Sequence, residues 1–313
     1  MRLFSFILLF SSLLFSEMLE RTQVLMGTYV TISLPQEASK AIQESFTLLK
    51  SVEKSLSSYD NEADIFKLNQ QRKSVIGPYT YEAFQLSTKY YRESEGYFDI
   101  TVGSITKGLY HFGENEEMVD TQALQKAQVS FKGVHFSADA AWLEQGIMVD
   151  LGGMGKGFGV DKVREYLLEQ NITQGVVALS GDIVCLDTCT MGIQNPFGSG
   201  VIAEFTTKRS STAISTSGNY RRYIESTKHN HLINPKEKVS QKEFSSITLL
   251  SYGNNSDIDA YATAASVMPL TKAILFLDHL DLAYILITLK GDRYVSKNLD
   301  GYVEKFHFIE TLD

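Results

Sequence analysis

The chain lacks a surplus of basic residues. Its 29 lysines and arginines are outnumbered by 37 aspartates and glutamates, giving a formal charge of −8, and no stretch gathers the basic ones. That argues against nucleic acid as a partner, because a polyphosphate needs a positive surface. Internal repeats, low-complexity tracts and linker-like segments are also missing, so nothing divides the chain into separate domains. Both familiar phosphate signatures are absent too. The only glycine–lysine pair in a glycine-rich setting, Gly155–Lys156, is followed by Gly157 rather than Ser or Thr, which removes the hydroxyl that a Walker loop offers to magnesium. The Rossmann spacing G-x-G-x-x-G fails because Phe158 and Val160 stand where glycine is needed. Cysteines number only two, Cys185 and Cys189. Their C-x3-C spacing, without further Cys or His nearby, makes metal binding the weaker reading. Placed on two strands around an Asp187–Thr188 turn, they would form a cross-hairpin disulfide in an oxidising compartment.

One apolar run exists, LFSFILLFSSLLFS, preceded by Met1–Arg2 and followed by Glu17. It is too short to span a bilayer comfortably. With a single positive charge before it and Ser16 at its end, it reads as a secretory signal over residues 1–16. No cysteine follows it, which argues against a lipoprotein anchor. The mature protein, residues 17–313, is then expected to be exported and periplasmic, or tethered to the inner membrane if the signal is not cleaved.

The richest segment is DLGGMGKGFGVD, residues 150–161, with five glycines between an apolar run and a helical pattern over residues 160–169. A glycine-rich turn leading into a helix lets backbone N–H groups approach an anion, and Lys156 adds a full positive charge. The segment therefore reads as a phosphate cradle. Elsewhere, residues 24–34 alternate apolar and polar as one opening strand. Ile42, Phe46, Leu49, Val52 and Leu56 recur at helical spacing. A polar turn carrying Tyr59 follows, then a helix over residues 81–94 stopped at Gly96. YFDITVGS reads as a short strand or turn, and GVVALSGDIV as a strand. Residues 203–250 are rich in β signals broken by a polar stretch at 225–231, residues 259–277 are helical, and the end returns to strands. Helices interspersed with long antiparallel-looking strands make the expected class α+β.

Eight segments in order resemble the ApbE family, the FAD:protein FMN transferases. They are MGTYV (26–30), SSYDNEADIFKLN (57–69), GYFDITVGS (96–104), DLGGMGKGFGVD (150–161), SGDI (180–183), STSGNYRRY (215–223), HLINP (231–235) and DAYAT (259–263). The resemblance implies a single compact, T-fold-related domain with mixed, largely antiparallel sheets and flanking helices. It also implies a reaction: FAD is cleaved at its pyrophosphate, FMN is joined to a threonine hydroxyl of a target protein, and AMP leaves. Such chemistry needs a divalent metal, expected to be Mg2+, with FAD as substrate. The implied metal set is Asp259 and Thr263, one helical turn apart, completed by the carbonyls of Gly153 and Ala262. FAD would be met by Met26, Tyr59, Tyr97, Phe98, Asp99, Asp150, Lys156 and Ile233, with the hydroxyls of STSGNY (215–220) and an unhindered Gly218 beside the diphosphate. His231 is the candidate base and Asp259 the metal-bearing catalytic residue. Implied partners are acceptors carrying a threonine in a D-x-x-(S/T)-(G/A)-A-T segment, found in membrane-associated electron-transfer subunits or exported reductases. This chain has no such segment.

Some positions depart from the family pattern. Asn234 stands where Asp is common, Lys236–Glu237–Lys238 where the family has a basic-Thr-Gly run, Gly155 for alanine and Ser180 for glycine. Two other functions use much of the same site. One is a metal-dependent FAD pyrophosphatase releasing FMN and AMP. The other is a non-catalytic FAD-binding protein, for which Asp259, Thr263 and His231 would be superfluous.

Overall fold

In the computed structural model, residues 17–220 and 222–309 are described. The expected leader, residues 1–16, lies outside them. The framework is an eight-stranded sheet whose neighbours all run antiparallel. Its order across the sheet is Met18–Leu25, Thr28–Pro35, Val176–Leu179, Asp182–Cys185, Thr212–Gly218, Phe244–Ser251, Ala283–Thr288 and Arg293–Val295. The sheet is open, not a closed barrel, and the fold is a single compact α+β domain, as expected.

Period-two alternation decides what covers each face. Val184, Ala213, Leu249 and Leu286 point toward the helices. Cys185, Ile214, Leu250, Ile285 and Ile287 point the other way, against a three-stranded sheet of Thr190–Gln194, Val201–Thr207 and Val303–Phe308. With both faces covered, every residue of the strand Phe244–Ser251 is buried. On the helical side, Ser39–Leu56 buries the predicted Ile42, Phe46, Leu49, Val52 and Leu56. The helix Gly155–Glu169 packs between it and the helix Asn255–Ser266.

Several expectations are corrected. The opening strand is two strands, joined by a turn at Met26–Gly27 where both residues have positive φ (52° and 68°). Two-residue hairpin turns with φ positive at both central positions match strand twist, and glycine is the residue that adopts this most easily. GVVALSGDIV is likewise a hairpin turning at Ser180–Gly181. YFDITVGS holds a 3-10 turn, Ile100–Val102, capped by Asp99, and then a helical turn Gly103–Thr106. The helical stretch near the end is two helices, Asn255–Ser266 and Leu270–Asp278, separated around Pro269. Cys185 and Cys189 are joined as a disulfide, but not across a hairpin, because the strands after and before the turn belong to different sheets.

The largest correction concerns the glycine segment. The helix begins at Gly155, so Gly155, Gly157 and Gly159 are helical rather than part of a loop. Their smallness serves packing. A β-carbon on Gly157 would lie 2.5 Å from the Asn255 carbonyl oxygen and 2.8 Å from Asp259 Cβ. The absence of side chains lets two helices touch and brings Asp259 to the start of this one.

Candidate active site

A cleft of about 1090 Å³ opens where the glycine-segment helix, the sheet and the loop carrying His231 meet. It reaches the upper end of what small-molecule sites occupy, room enough for a dinucleotide. Met26, Tyr59, Tyr97, Phe98, Asp99, Asp150, Gly153, Lys156, His231, Ile233, Asp259 and Thr263 all line it. Residues far apart in sequence are thus gathered in one place. Ala262 is the exception: it is fully buried in the core and not among the lining residues.

At the cleft floor Lys156 stands between two carboxylates. Its Nζ lies 2.8 Å from Asp182 Oδ2 and 3.3 Å from both oxygens of Asp259. Asp259 Oδ2 also accepts from Gly157 N–H at 3.0 Å, and Asp182 Oδ1 from the Ser215 hydroxyl at 2.6 Å. The anion received at this helix N-terminus is therefore an internal carboxylate, and Lys156 is held by two acids rather than presented free to a phosphate. Asp259 sits inside its helix, whose N-cap is Asn254, so it is no capping residue. Burial, and then the charge of Asp182, push its carboxyl up to about 7, with Lys156 opposing. Burial works against the charge of Lys156, but the two carboxylates outweigh it and hold its pKa above the ordinary lysine value. Asp182 was missed in the sequence, although the SGDI segment was noted. An acid at an inward position of an otherwise apolar strand was the signal.

One turn beyond Asp259, the Thr263 hydroxyl donates to the Gly153 carbonyl at 3.1 Å. A carboxylate, a hydroxyl and a carbonyl on neighbouring backbone form an oxygen-only set, which suits a hard divalent cation. Among the described residues no cluster of three or more His, Cys, Asp or Glu could hold a metal. The charge balance supports the fit: Glu53, Asp60, Asp99, Asp150 and Asp259 line the cleft against Lys107, Lys156 and Arg222. A diphosphate entering this net negative space would be repelled by it, and a cation held by the oxygen set would offset that repulsion.

Tyr59 is fixed rather than loose. Its hydroxyl donates to the Phe112 carbonyl at 2.8 Å, and Lys107 Nζ hydrogen-bonds that hydroxyl and lies 3.6 Å over the ring. Lys107, another residue the sequence did not flag, is buried and pairs with Asp150 at 3.9 Å. Burial pushes the Asp150 carboxyl up, but Lys107, the Gly152 N–H and the Thr106 hydroxyl outweigh it and leave its pKa lowered. Asp99 spends its carboxylate on the Thr101 N–H and hydroxyl, at 2.8 and 2.6 Å. Its role is to shape the turn carrying Phe98. Met26 is pinned by its N–H to Glu53 Oε1 at 2.6 Å. Tyr97 has Lys236 4.1 Å from its ring centroid. Gly218 is not unhindered, since an added Cβ would meet the Tyr220 ring at 2.4 Å.

His231 Nδ1 lies 3.1 Å from the Arg222 carbonyl. A carbonyl only accepts, so Nδ1 carries the proton and Nε2 keeps its lone pair. Burial lowers the ring's pKa to about 4; the Arg222 carbonyl opposes this, while the Arg222 and Lys156 charges add to it. The imidazole is thus neutral at neutral pH, well below the range expected from the free side chain. The following loop is held by Asn234: its amide donates to the Val267 carbonyl at 2.8 Å, and its Oδ1 accepts from the Lys236 and Glu237 N–H groups. An ionised aspartate could not make the first of these bonds. Lys238 takes φ 59°, a conformation glycine adopts more easily.

The fold and cleft define an α+β protein with a nucleotide-sized site built on an antiparallel sheet. The chain belongs to the ApbE family, whose profile matches residues 26–286. It is similar to the FAD:protein FMN transferase of Treponema pallidum, 25% identical over 293 residues covering 82% of this chain and 80% of the relative. It is also similar to the FAD:protein FMN transferase of Vibrio cholerae, 26% identical over 308 residues covering 90% and 91%. Among solved structures, the ApbE protein of Thermotoga maritima matches with a TM-score of 0.84 at 21% identity, over 92% of this chain and all of that one. The flavin transferase ApbE of Vibrio cholerae matches with a TM-score of 0.80 at 20% identity, over 92% and 99%.

Proposed function

We propose that this chain is a FAD:protein FMN transferase, moving the FMN half of FAD onto a threonine hydroxyl of an exported or membrane-associated redox protein. The observation that carries this reading is the joining, in one dinucleotide-sized cleft, of a buried acid set around Asp259 with a neutral His231 whose Nε2 is free to accept a proton. The transferase relatives support the same reaction.

The residues divide the work. Met26, Phe98 and Ile233 supply apolar contact for the flavin, with Tyr59 and Tyr97 as aromatic surfaces. Asp259 and Thr263, with the carbonyl of Gly153, would hold Mg2+; the expected fourth ligand, Ala262, lies in the core away from the cleft lining. That ion, when bound, neutralises the diphosphate and the charge that grows on its bridging oxygen. Lys156 keeps the two carboxylates together and limits the repulsion between them. In the transfer, the acceptor hydroxyl oxygen bonds to the FMN phosphorus, and the bond from that phosphorus to the bridging oxygen breaks. AMP leaves with the electron pair, and the hydroxyl proton passes to His231 Nε2. The low pKa keeps that nitrogen available but makes it a weak base, so its contribution belongs near the lower end of the ~10²–10⁴ range for such groups.

Export, by a leader over residues 1–16 with a periplasmic or membrane-tethered product, is part of the proposal. The Cys185–Cys189 disulfide supports an oxidising compartment. The test is AMP release from FAD and Mg2+ with and without an acceptor domain carrying the threonine segment. Release that depends on acceptor supports the transferase. Equal release without acceptor establishes the FAD pyrophosphatase, and FAD that stays intact leaves only a binding protein.

A further inference from the structure

Three cations line the cleft, and two are already engaged: Lys156 by Asp182 and Asp259, Lys107 by Tyr59 and Asp150. Among the described residues the third, Arg222, makes no ion pair and no side-chain hydrogen bond. Its backbone is nonetheless fixed, because its carbonyl accepts from both the N–H (3.3 Å) and the Nδ1 of His231. The next residue, Tyr223, bridges to Asn230. An exposed guanidinium on an anchored backbone is thus held at the cleft, beside the candidate base. It lines the same cleft as Asp150 and His231, and both respond to its charge.

We infer that Arg222 is a residue that binds the diphosphate oxygens of the dinucleotide. This rests on the transferase reading and adds to it a phosphate-binding residue. A guanidinium presents paired N–H donors that match phosphate oxygens, and it stays charged at every working pH. Lys156, by contrast, cannot leave its two carboxylates without exposing their repulsion. The same carbonyl that fixes the His231 tautomer thereby sets the phosphate-binding group and the base at one edge of the cleft.

The test compares FAD and riboflavin binding to the wild-type, Arg222→Met and Arg222→Lys proteins, by flavin fluorescence quenching with Mg2+ present. Riboflavin carries the ring system without any phosphate. Loss of a charge-assisted contact predicts about a 10- to 100-fold weaker FAD affinity in Arg222→Met. Riboflavin affinity should be unchanged, and Arg222→Lys should recover part of the loss. Unaltered FAD binding in Arg222→Met would overturn the assignment. Equal weakening of FAD and riboflavin would also overturn it, since that reports a disturbed loop and not a lost phosphate contact. A wild-type chain that binds neither flavin defeats the transferase reading itself, and this assignment with it.

Discussion

Replacing Lys156 by methionine removes the single positive charge between two buried carboxylates. The Asp182 and Asp259 side chains are 1% and 2% exposed, while that of Lys156 is 29% exposed. Breaking a buried ion pair by deleting one partner costs roughly 3–5 kcal/mol, because the other charge stays buried without compensation. The partial exposure of Lys156 places this case at the low end, about 3 kcal/mol. For a domain of this size that corresponds to a melting temperature lower by roughly 6–12 °C, read by differential scanning calorimetry near neutral pH. The loss has a defined pH dependence. The Asp259 carboxyl is raised to about 7, so the native state binds protons that the unfolded chain releases. Stability then rises as pH falls from 7 toward the ordinary carboxylate range and drops as pH rises. The deficit of Lys156→Met should accordingly be smaller at pH 5.5 than at pH 8. Adding Asp182→Asn should restore much of the stability, since one carboxylate then no longer needs a partner. A Lys156→Met protein that melts with the wild type at pH 8, or a double variant less stable than the single one, would refute this account of the site's charge.

His231→Gln should lower turnover about 10²-fold while changing FAD affinity little, measured by single-turnover rates and fluorescence titration. Equal losses of rate and affinity would remove His231 from the role of base. In the wild type the His231 ring itself, followed by NMR of its imidazole, should titrate well below pH 6.5, in line with its lowered pKa of about 4; a ring that titrates at 6.5 or above would show that it is not held as described. Gly157→Ala places a methyl group 2.5 Å from the Asn255 carbonyl and 2.8 Å from Asp259 Cβ. Overpacking of this kind costs about 1–3 kcal/mol, so thermal unfolding should occur several degrees lower. An unaltered midpoint would mean the helix crossing has slack that the geometry does not show.

How much of this was legible in the chain depended on the kind of signal. The helix Ser39–Leu56 could be read because its apolar residues repeat at one period along a long element. The opening hairpin was hidden because alternation resumes after a two-residue turn, and Gly27 was the only mark of the reversal. The glycines of residues 155–159 misled for a physical reason. Glycine signals missing side-chain volume, and sequence does not say whether a ligand or a neighbouring helix uses the space. Most site positions were legible through ordered motifs, and the structure gathers all but Ala262 around one cleft. Their charge state was not. That Lys156 answers Asp182 and Asp259 depends on the hairpin Val176–Cys185 and on the helix Asn255–Ser266 meeting the same helix start. Those contacts join residues 26 and 103 positions apart, beyond any local pattern. Lys107 and Arg222 escaped for the same reason, because a lone basic residue in a polar segment gains meaning only from what surrounds it.

In the proposed mechanism Asp259 anchors a metal-dependent transfer of FMN to protein. The most direct measurement is the intact mass of an acceptor domain bearing the threonine segment after incubation with FAD, Mg2+ and this protein. A mass gain of one FMN moiety is expected with the wild-type chain and none with a folded Asp259→Ala variant or when Mg2+ is chelated. An acceptor modified equally well by Asp259→Ala, or left unmodified by the wild type while FAD is consumed, would contradict it.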